Sequence, residues 1–328
     1  MEPDSRRIIN VLQAGRAIAA FIVLLHHAGP WVAKLGGHFH GLGIFGRGFA
    51  GVDFFFVLSG FIIYHSTVEK KRTLMDYARA RFRRVMLPYL PIGVLAALIY
   101  TAFPAYPYEA DRWGWLATLT LLPVQPAPAL TVAWTLQHEM LFYFIFGLCY
   151  FSGYMWFGLA VWTAAILLGP SGNIPLASIN LEFLMGIAVC VLYRRGKGHW
   201  LLLLVSAALL ICWVLLGARE EQRLIVGLAC ACLTLQLSLM ERRGRITVPA
   251  WLVFMGSASY ALYLTHELVL PAAARLAGHS RILNFAVCVV ACLSAAVAYY
   301  WWVERRLIAR KSASRVTPPT TRAVSGQK

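Results

Sequence analysis

Charged residues are scarce in this sequence, and most of those present are basic. They make up 13% of the 328 residues, whereas about 25% is usual for a soluble domain. Lysine and arginine number 30 and aspartate and glutamate 14, which gives a net charge of +16. The basic residues lie in short clusters between apolar runs, a pattern typical of membrane topology. The composition therefore predicts a polytopic membrane protein and argues against a nucleic-acid-binding protein.

The sequence also lacks cysteines in connecting loops, an internal repeat and a recognisable second domain. All seven cysteines lie inside apolar stretches, so no disulfide framework is expected. The basic start, Met1–Arg7, precedes an apolar run and so resembles a signal peptide. That run is too long for a signal peptide and contains Arg16, and no clear cleavage site follows it. We therefore expect it to be retained as the first membrane span.

Apolar stretches of about 20 residues, the length that a spanning helix needs, recur ten times along the chain. They cover approximately residues 8–29, 45–65, 86–103, 134–151, 154–169, 178–193, 199–217, 222–240, 251–271 and 282–303. The stretch Trp113–Leu122 is apolar but too short to span, and is expected in the membrane interface. The predicted fold is an all-α polytopic membrane protein with about ten transmembrane helices.

The placement of lysine and arginine predicts the orientation. Basic residues are concentrated in the sizeable connections on one side of the predicted spans, within 70–84, 194–197, 242–245 and 305–315. Because cytoplasmic loops carry the excess of basic residues, both termini are predicted to be cytoplasmic. We expect one membrane domain over residues 1–311. Residues 312–328 are rich in Ser, Thr and Pro and predict a disordered basic tail.

Arg16 and His27 are the most informative pair inside the apolar runs. Charged and titratable residues are costly within a membrane and usually mark a substrate or ion path. The two residues are eleven positions apart, which on an α-helix returns to within about 20° of the starting direction and rises about 16 Å. They therefore share one helix face, whereas the neighbouring His26 points elsewhere. The pattern is typical of a reaction channel.

Three further titratable residues are predicted at the depth of His27, towards the outer surface: Asp53, Glu139 and His266. A single intramembrane histidine is often only a packing residue, and Asp53 has the alternative of capping its helix. Glu139 is the hardest to explain structurally, since a carboxylate among apolar neighbours needs a partner or a chemical task. Their common depth favours a functional cluster.

These residue types suit acyl transfer to a hydroxyl group. Histidine supplies a base near neutral pH, and Arg16 supplies a positive group for an oxyanion or for phosphates. Glu139 is expected to orient the base or to share the proton. Arg81 and Arg84 have two open interpretations, binding of the donor's phosphates or ordinary cytoplasmic anchoring. No metal site is predicted.

Six motifs, in order over nearly the whole chain, resemble those of the membrane-bound type-3 acyltransferase family. They are Leu12–Ala20 with Arg16 and continuing to His27, Gly51–Phe61, Arg81 and Arg84 before Pro88, Trp134–Tyr143, Gly256–His266, and Glu304-Arg305. The first and fourth are most similar to the branch associated with exopolysaccharide production. Gln137 and His138 are unusual residues for the family at the two positions before Glu139, and we expect the His138 side chain to pack away from Glu139.

The resemblance implies O-acylation of a carbohydrate, with acyl-CoA as donor substrate and no bound cofactor. It implies His27 as the catalytic residue; Glu139, Arg16 and Asp53 complete our predicted catalytic set. The predicted substrate-binding residues are Arg81, Arg84, His266, Trp134, Tyr143 and Ser59. Acetyl is the acyl group usually implied, with succinyl and longer groups open, as is a covalent acyl-His27 intermediate.

The expected partners are acyl-CoA, a carbohydrate or lipid-linked saccharide, the lipid bilayer and polysaccharide-assembly proteins. The expected location is the bacterial inner membrane. Two other functions fit part of this pattern. A transporter or flippase of a lipid-linked saccharide fits ten spans, but the chain lacks an inverted repeat and paired broken helices. A haem-binding electron carrier with His27 and His266 as ligands lacks a helical series of histidines.

Overall fold

A computed structural model describes residues 9–36, 46–70, 73–103, 113–170, 172–217, 219, 222–276 and 280–309. Within these ranges the chain is helical and contains no β-strand. The helices are α1 (Asn10–Gly36), α2 (Ala50–Lys70), α3 (Leu74–Ala102), α4 (Trp115–Thr120), α5 (Trp134–Phe151), α6 (Met155–Leu168), α7 (Leu181–Arg194), α8 (Leu201–Leu215), α9 (Arg223–Arg242), α10 (Ala250–Ser257), α11 (Ser259–Leu276), α12 (Arg281–Tyr299) and α13 (Arg305–Ala309), with a π-helix over Tyr300–Glu304. The predicted tail lies outside the described residues.

Each of the ten predicted segments coincides with a helix or a helix pair. Within the described parts of the chain, five stretches are long and apolar enough to cross a membrane: Asn10–Ala33, Ala50–Lys70, Leu74–Ala102, Arg223–Arg242 and Ile282–Ile308. Two shorter apolar helices, α6 and α8, correspond to two more of the predicted segments. The prediction of a helical chain with several helices long and apolar enough to span a membrane is confirmed, and the count of ten spans and the orientation stay predictions.

Two helices differ from the hydropathy pattern in ways that matter for the site. Helix α3 begins at Leu74, about a dozen residues before the predicted apolar segment, because Thr73 caps it by accepting the backbone N–H of Asp76 at 3.2 Å. The segment 251–271 is divided at Ala258 into α10 and α11. Gly256 lies against the backbone of Gln13 just before this division.

Helix α2 lies in the middle of the bundle and packs on α1, α7 and α9. Its approach to α7 depends on two glycines, because a Cβ on Gly60 or Gly186 would overlap a backbone carbonyl of the other helix. Small residues allow such close helix packing within membranes. Helix α11 packs on α1 and α12, so α1 and α2 separate α11 from α7 and α9.

Helix ends assigned to one face of the membrane lie together. The first residues of α2, α5, α7 and α9 approach one another through side-chain contacts. At the opposite ends, the end of α2 and the end of α7 are joined by an ion pair between Glu69 and Arg194. This alternation agrees with the alternation of the basic loops, while the assignment of one face to the cytoplasm rests on the sequence.

The segment 113–133 before α5 is anchored to α11 rather than lying free over the bundle. Glu267 accepts hydrogen bonds from the backbone N–H groups of Thr131 and Val132 at 2.9 and 3.0 Å. The short helix α4 corresponds to the stretch expected in the interface, and Leu121 and Leu130, which follow it, are buried. The anchor fixes the start of α5 relative to the helix that carries His266.

Candidate active site

Two histidines from different helices form a hydrogen-bonded pair. Nδ1 of His27 on α1 lies 3.1 Å from Nε2 of His266 on α11. Each Nδ1 also lies 3.1 Å from the backbone carbonyl four residues earlier, that of Val23 for His27 and that of Leu262 for His266. Carbonyl oxygens only accept hydrogen bonds, so both Nδ1 atoms carry the proton in the neutral rings.

This hydrogen-bond pattern fixes which nitrogen of His27 can act as a base. With its Nδ1 protonated, neutral His266 accepts through Nε2, and the single Nδ1–H of His27 is shared between this nitrogen and the Val23 carbonyl. Nε2 of His27 is then left without a proton, and it has no hydrogen-bond partner among the described residues. An imidazole nitrogen in this state can take a proton from a hydroxyl group.

A cavity of about 130 Å³ lies between α1, α2, α3, α5 and α11. We call it the chamber. Its polar lining consists of Arg16, Ser59, Arg81, Arg84, Thr135, Glu139, Tyr143, Ser259, Tyr260 and Tyr263. Six of these, Arg16, Ser59, Arg81, Arg84, Glu139 and Tyr143, are residues that the sequence predicted for the site. The chamber thus brings together most of the predicted set, although neither His27 nor His266 lines it.

Glu139 belongs to the chamber and not to the histidine pair. Its Oε1 accepts a hydrogen bond from Ser59 Oγ at 3.1 Å and a short one from the Tyr143 hydroxyl. Among the described residues no hydrogen bond joins Glu139 to His27. The neighbouring His138 is buried and lies 2.8 Å from Asn180 Oδ1, on another side of α5, as its helix position predicts.

Arg16 reaches the chamber where α10 gives way to α11. Its Nε donates to Ser259 Oγ at 3.1 Å, and that hydroxyl donates to the carbonyl of Gly256 at 2.7 Å. The interruption at Ala258 therefore places a hydroxyl opposite the arginine. Ser259, Tyr263 and His266 are spaced by four and three residues, so they follow one face of α11 from the chamber towards the histidine pair.

Arg81 and Arg84 enter the chamber from the basic first turns of α3. Arg81 donates to Ser66 Oγ at 2.5 Å, and its guanidinium lies 5.8 and 6.0 Å from the rings of Tyr77 and Tyr143. Aromatic faces attract cations in this way and hold them in place. The segment predicted from hydropathy begins after these turns, because their arginines lower the local hydropathy. The contacts that hold Arg81 were therefore not predicted.

Arg84 is held by a carboxylate from the last part of the chain. It forms an ion pair with Glu304 at 2.8 Å, and it lies 5.7 Å from the Tyr260 ring. Glu304 is buried at the end of the π-helix over Tyr300–Glu304. Three guanidinium groups (Arg16, Arg81, Arg84) face two carboxylates (Glu139, Glu304), so the chamber has one excess positive charge.

Asp53 lies apart from both groups. It is fully buried and pairs with Arg223 Nε at 2.7 Å, and Glu182, also fully buried, is its acidic neighbour. The Arg223 guanidinium lies 5.6 Å from the ring of Trp134, which the sequence had placed among substrate-binding residues. We call Asp53, Glu182 and Arg223 the sealed ion cluster, since none of them lines the chamber.

The four titratable residues expected at one depth are therefore divided among three groups: the histidine pair, the chamber with Glu139, and the sealed ion cluster with Asp53. Sequence reasoning passed over Glu182 and Arg223, although both are charges near the ends of predicted spans and the same criterion would have found them. It quoted Ser259, Tyr260 and Glu304 in motifs without assigning them to the site.

Among the described residues, no group of histidine, cysteine, aspartate and glutamate has the arrangement of a metal site. A profile described as an acyltransferase domain matches residues 9–301. The chain is 28% identical over 321 residues to exopolysaccharide production protein ExoZ of Rhizobium meliloti (strain 1021), which covers 90% of this chain and 97% of that protein. No solved structure matches the chain.

Proposed function

The chain belongs to the acyltransferase 3 family, as its motifs indicated, and we propose that this acyltransferase moves an acetyl group from cytoplasmic acetyl-CoA to a hydroxyl of an exported or cell-surface carbohydrate. The family and the similarity to an exopolysaccharide production protein support the reaction class and the acceptor. One observation carries the mechanism. The cationic chamber and the histidine pair follow the same faces of α1 and α11, with Arg16 and Ser259 at one end and His27 and His266 at the other.

The chamber binds the donor through its positive charge. Arginine matches the geometry of phosphate oxygens and stays charged within a membrane. Arg81 and Arg84 lie in the basic first turns of α3, on the side predicted to be cytoplasmic, and they hold the phosphates of acetyl-CoA. Arg84 also pairs with Glu304. Arg16, deeper in the bundle, contacts the pantetheine arm, and Glu139 holds the hydroxyls of Ser59 and Tyr143 at the chamber wall.

The thioester reaches the histidines at the far end of the pantetheine arm. By helix rise His27 lies about 16 Å from Arg16, so an extended arm rather than the nucleotide must cover that distance. Nε2 of His27 takes the proton of the acceptor hydroxyl while the oxygen of that hydroxyl attacks the carbonyl carbon of the thioester. The tetrahedral intermediate then collapses to the ester, and the departing CoA thiolate takes the proton from His27. The reaction neither consumes nor releases a net proton.

His266 acts as a positioning residue for His27. Nε2 of His266 accepts a hydrogen bond from Nδ1–H of His27. This contact holds the His27 ring in the tautomer whose Nε2 is unprotonated. We assign the protein to the bacterial inner membrane, with the donor entering from the cytoplasmic side and the carbohydrate from the outer side. The long apolar helices support the membrane location.

His27→Ala tests the proposal, with His26→Ala as the matched control on the same helix turn. Membranes containing the full chain are supplied with radiolabelled acetyl-CoA, and label on the carbohydrate fraction is counted. We expect His27→Ala to lower transfer by about 100-fold or more, the usual contribution of a general base, while His26→Ala retains most of it. Protein content is measured in the same membranes.

Full transfer by His27→Ala would overturn the role of this residue. The acceptor is tested separately by mass spectrometry of the surface polysaccharide from cells with and without the gene. If the surface polysaccharide has the same acetyl content in cells with and without the gene, this polysaccharide is not the acceptor.

A further inference from the structure

Helix α3 carries the arginines assigned to the donor on turns that are weakly tied to the rest of the helix. Proline has no backbone N–H, so a proline inside a helix removes the hydrogen bond to the carbonyl four residues earlier. Pro88 and Pro91 both lie inside α3, and they leave the carbonyls of Arg84 and Leu87 without their helical donors. The first turns of α3, with Arg81 and Arg84, therefore need support from other helices to keep their place beside the chamber.

Two contacts from the last part of the chain supply this support. The Tyr299 hydroxyl donates to the Pro88 carbonyl at 2.5 Å, and Glu304 forms its ion pair with Arg84 at 2.8 Å. Arg84 and Pro88 are four residues apart, so they lie on one face of α3. We call Tyr299 and Glu304 the clamp. It holds α3 at both ends of the turn in which the first helical hydrogen bond is missing.

The π-helix allows both clamp residues to face α3. Tyr299 is the last residue of α12, and Glu304 is the last residue of the π-helix, five positions later. In a regular α-helix five residues turn through about 500°, which leaves the two side chains about 140° apart. The hydrogen bonds of a π-helix instead join residues five apart, so these two lie one above the other. The irregular turn therefore directs both side chains at the same helix.

Tyr299 differs from the other contacts of this region because it does not line the chamber. Arg84 lines the chamber, and so does Tyr260, whose hydroxyl donates to the Val85 carbonyl at 2.9 Å. The Tyr299 hydroxyl instead contacts the backbone of α3. An effect of Tyr299 on the donor must therefore act through the position of α3.

We infer that Tyr299 is a positioning residue for the donor site, whose hydroxyl holds the first turns of α3 so that Arg84 meets the phosphates of the donor. This inference rests on the proposed function, in which Arg81 and Arg84 hold the phosphates of acetyl-CoA. Tyr299 takes no part in the chemistry at His27. Loss of its hydroxyl weakens donor binding and leaves the maximal rate of transfer unchanged.

Tyr299→Phe tests the inference, because it removes the hydroxyl and keeps the ring. Initial rates of acetyl transfer are measured against the acetyl-CoA concentration in membranes that contain the full chain and its endogenous carbohydrate. We expect the apparent KM for acetyl-CoA to rise about twofold to tenfold, the range that corresponds to the loss of one hydrogen bond between uncharged groups. The maximal rate per amount of protein should stay at the wild-type value.

Tyr300→Phe is the matched control, since it removes a hydroxyl from the adjacent residue. The Tyr300 ring packs against Phe254 and Trp301, and within the described chain its hydroxyl donates to no carbonyl of α3. The KM of Tyr300→Phe for acetyl-CoA should equal that of the wild type.

A second measurement asks whether Tyr299 acts through Arg84. Tyr299→Phe is combined with Arg84→Ala, and the KM for acetyl-CoA is compared with that of Arg84→Ala alone. Substitutions that act through one contact do not add. Because Arg84 is already absent from the combined variant, we expect Tyr299→Phe to cause no further rise in KM.

The outcomes separate the role of Tyr299 from the proposed function. An unchanged KM in Tyr299→Phe with transfer intact, an equal rise in Tyr300→Phe, or the same rise without Arg84 overturns the role of Tyr299 alone. A Tyr299→Phe protein too unstable to accumulate would show that the hydroxyl supports the fold rather than donor binding, and this also overturns that role. If the wild type transfers no acetyl group from acetyl-CoA, the proposed function is wrong, and with it the donor site.

Discussion

The chamber and the sealed ion cluster contain the same kinds of residue and differ in what surrounds them. Both combine arginine with carboxylates inside apolar helices. In the chamber the charged groups border open space, and the Arg84 side chain is 36% exposed. In the sealed ion cluster Asp53 is 0% exposed and the Arg223 side chain 16%. A charged residue within an apolar helix therefore indicates a binding site only where a cavity lies beside it.

The two regions also differ in how their charges balance. The chamber has an excess of positive charge, which the proposed anionic donor requires. The sealed ion cluster has two carboxyl groups for one guanidinium, and its residues line neither the chamber nor a separate apolar groove between α1, α2 and α9. Its contacts join α2, α7 and α9, so we expect it to hold these helices together. Four variants, one of them a double substitution, can break or sharpen this distinction.

Asp53→Ala should have the largest effect of the four variants, and it should lower the free energy of unfolding. It leaves Arg223 buried without its partner, and breaking a buried pair costs about 3–5 kcal/mol. Thermal unfolding of the purified protein in detergent measures this, and Asp53→Asn, which keeps a hydrogen-bond acceptor, should lose less. If Asp53→Ala were as stable as the wild type but inactive, Asp53 would belong to the chemistry, as the sequence alone suggested.

Glu139→Gln should show the opposite pattern, with activity lost and stability kept. The amide retains the shape but accepts the hydroxyls of Ser59 and Tyr143 less strongly, and small displacements at a reactive site can cost about 100-fold in rate. Acetyl transfer and unfolding temperature are measured on the same preparation. A large loss of stability with normal specific activity would make Glu139 a second structural carboxylate.

Arg81→Ala combined with Arg84→Ala should raise the apparent KM for acetyl-CoA by about tenfold or more, because each lost charge-assisted hydrogen bond is worth about 1.5–3 kcal/mol. Arg79→Ala combined with Arg83→Ala is the control, since it removes the same charge from α3 at positions that do not line the chamber. Equal shifts in the two double variants would mean that these arginines act only through the general charge of the loop.

Glu182→Gln should have the smallest effect. Arg223 pairs with Asp53, and the amide of glutamine keeps the size and the hydrogen-bonding capacity of the Glu182 side chain. We expect a change in unfolding free energy within about 1 kcal/mol, the scale of an ordinary substitution, and near-normal acetyl transfer. A destabilisation as large as that of Asp53→Ala would show that Glu182 and Asp53 share the pairing with Arg223 equally.

The sequence predicted the helices well because apolar length is a property of each segment alone. It placed α3 too late, since the arginines of its first turns lower the local hydropathy although they are helical. It also treated α10 and α11 as one helix, because the division at Ala258 depends on packing of Gly256 against α1. Such errors arise wherever a neighbouring helix decides the local structure.

Depth could be estimated from the sequence, but the direction of each side chain around its helix could not. His27 and His266 were expected at one depth, and they do meet. Asp53 and Glu139 were expected at that same depth, yet one faces α9 and the other faces α2 and the chamber. The neighbour that each helix face contacts depends on the packing of the whole bundle. Glu182 and Arg223, which the sequence had not assigned to the site, contact Asp53 through that packing.

The π-helix at Tyr300–Glu304 makes the length of this segment matter more than its composition. A π-helical turn arises when a helix accommodates one extra residue. In a regular α-helix each inserted residue turns everything beyond it by about 100°, whereas the π-turn accommodates one extra residue and keeps the residues beyond it facing as before. Deleting one residue between Tyr300 and Val303 should therefore let the turn relax to a regular α-helix while Glu304 still faces Arg84. A further insertion would turn Glu304 away, so this segment should tolerate a deletion better than an insertion, a constraint that no single residue of the segment reveals.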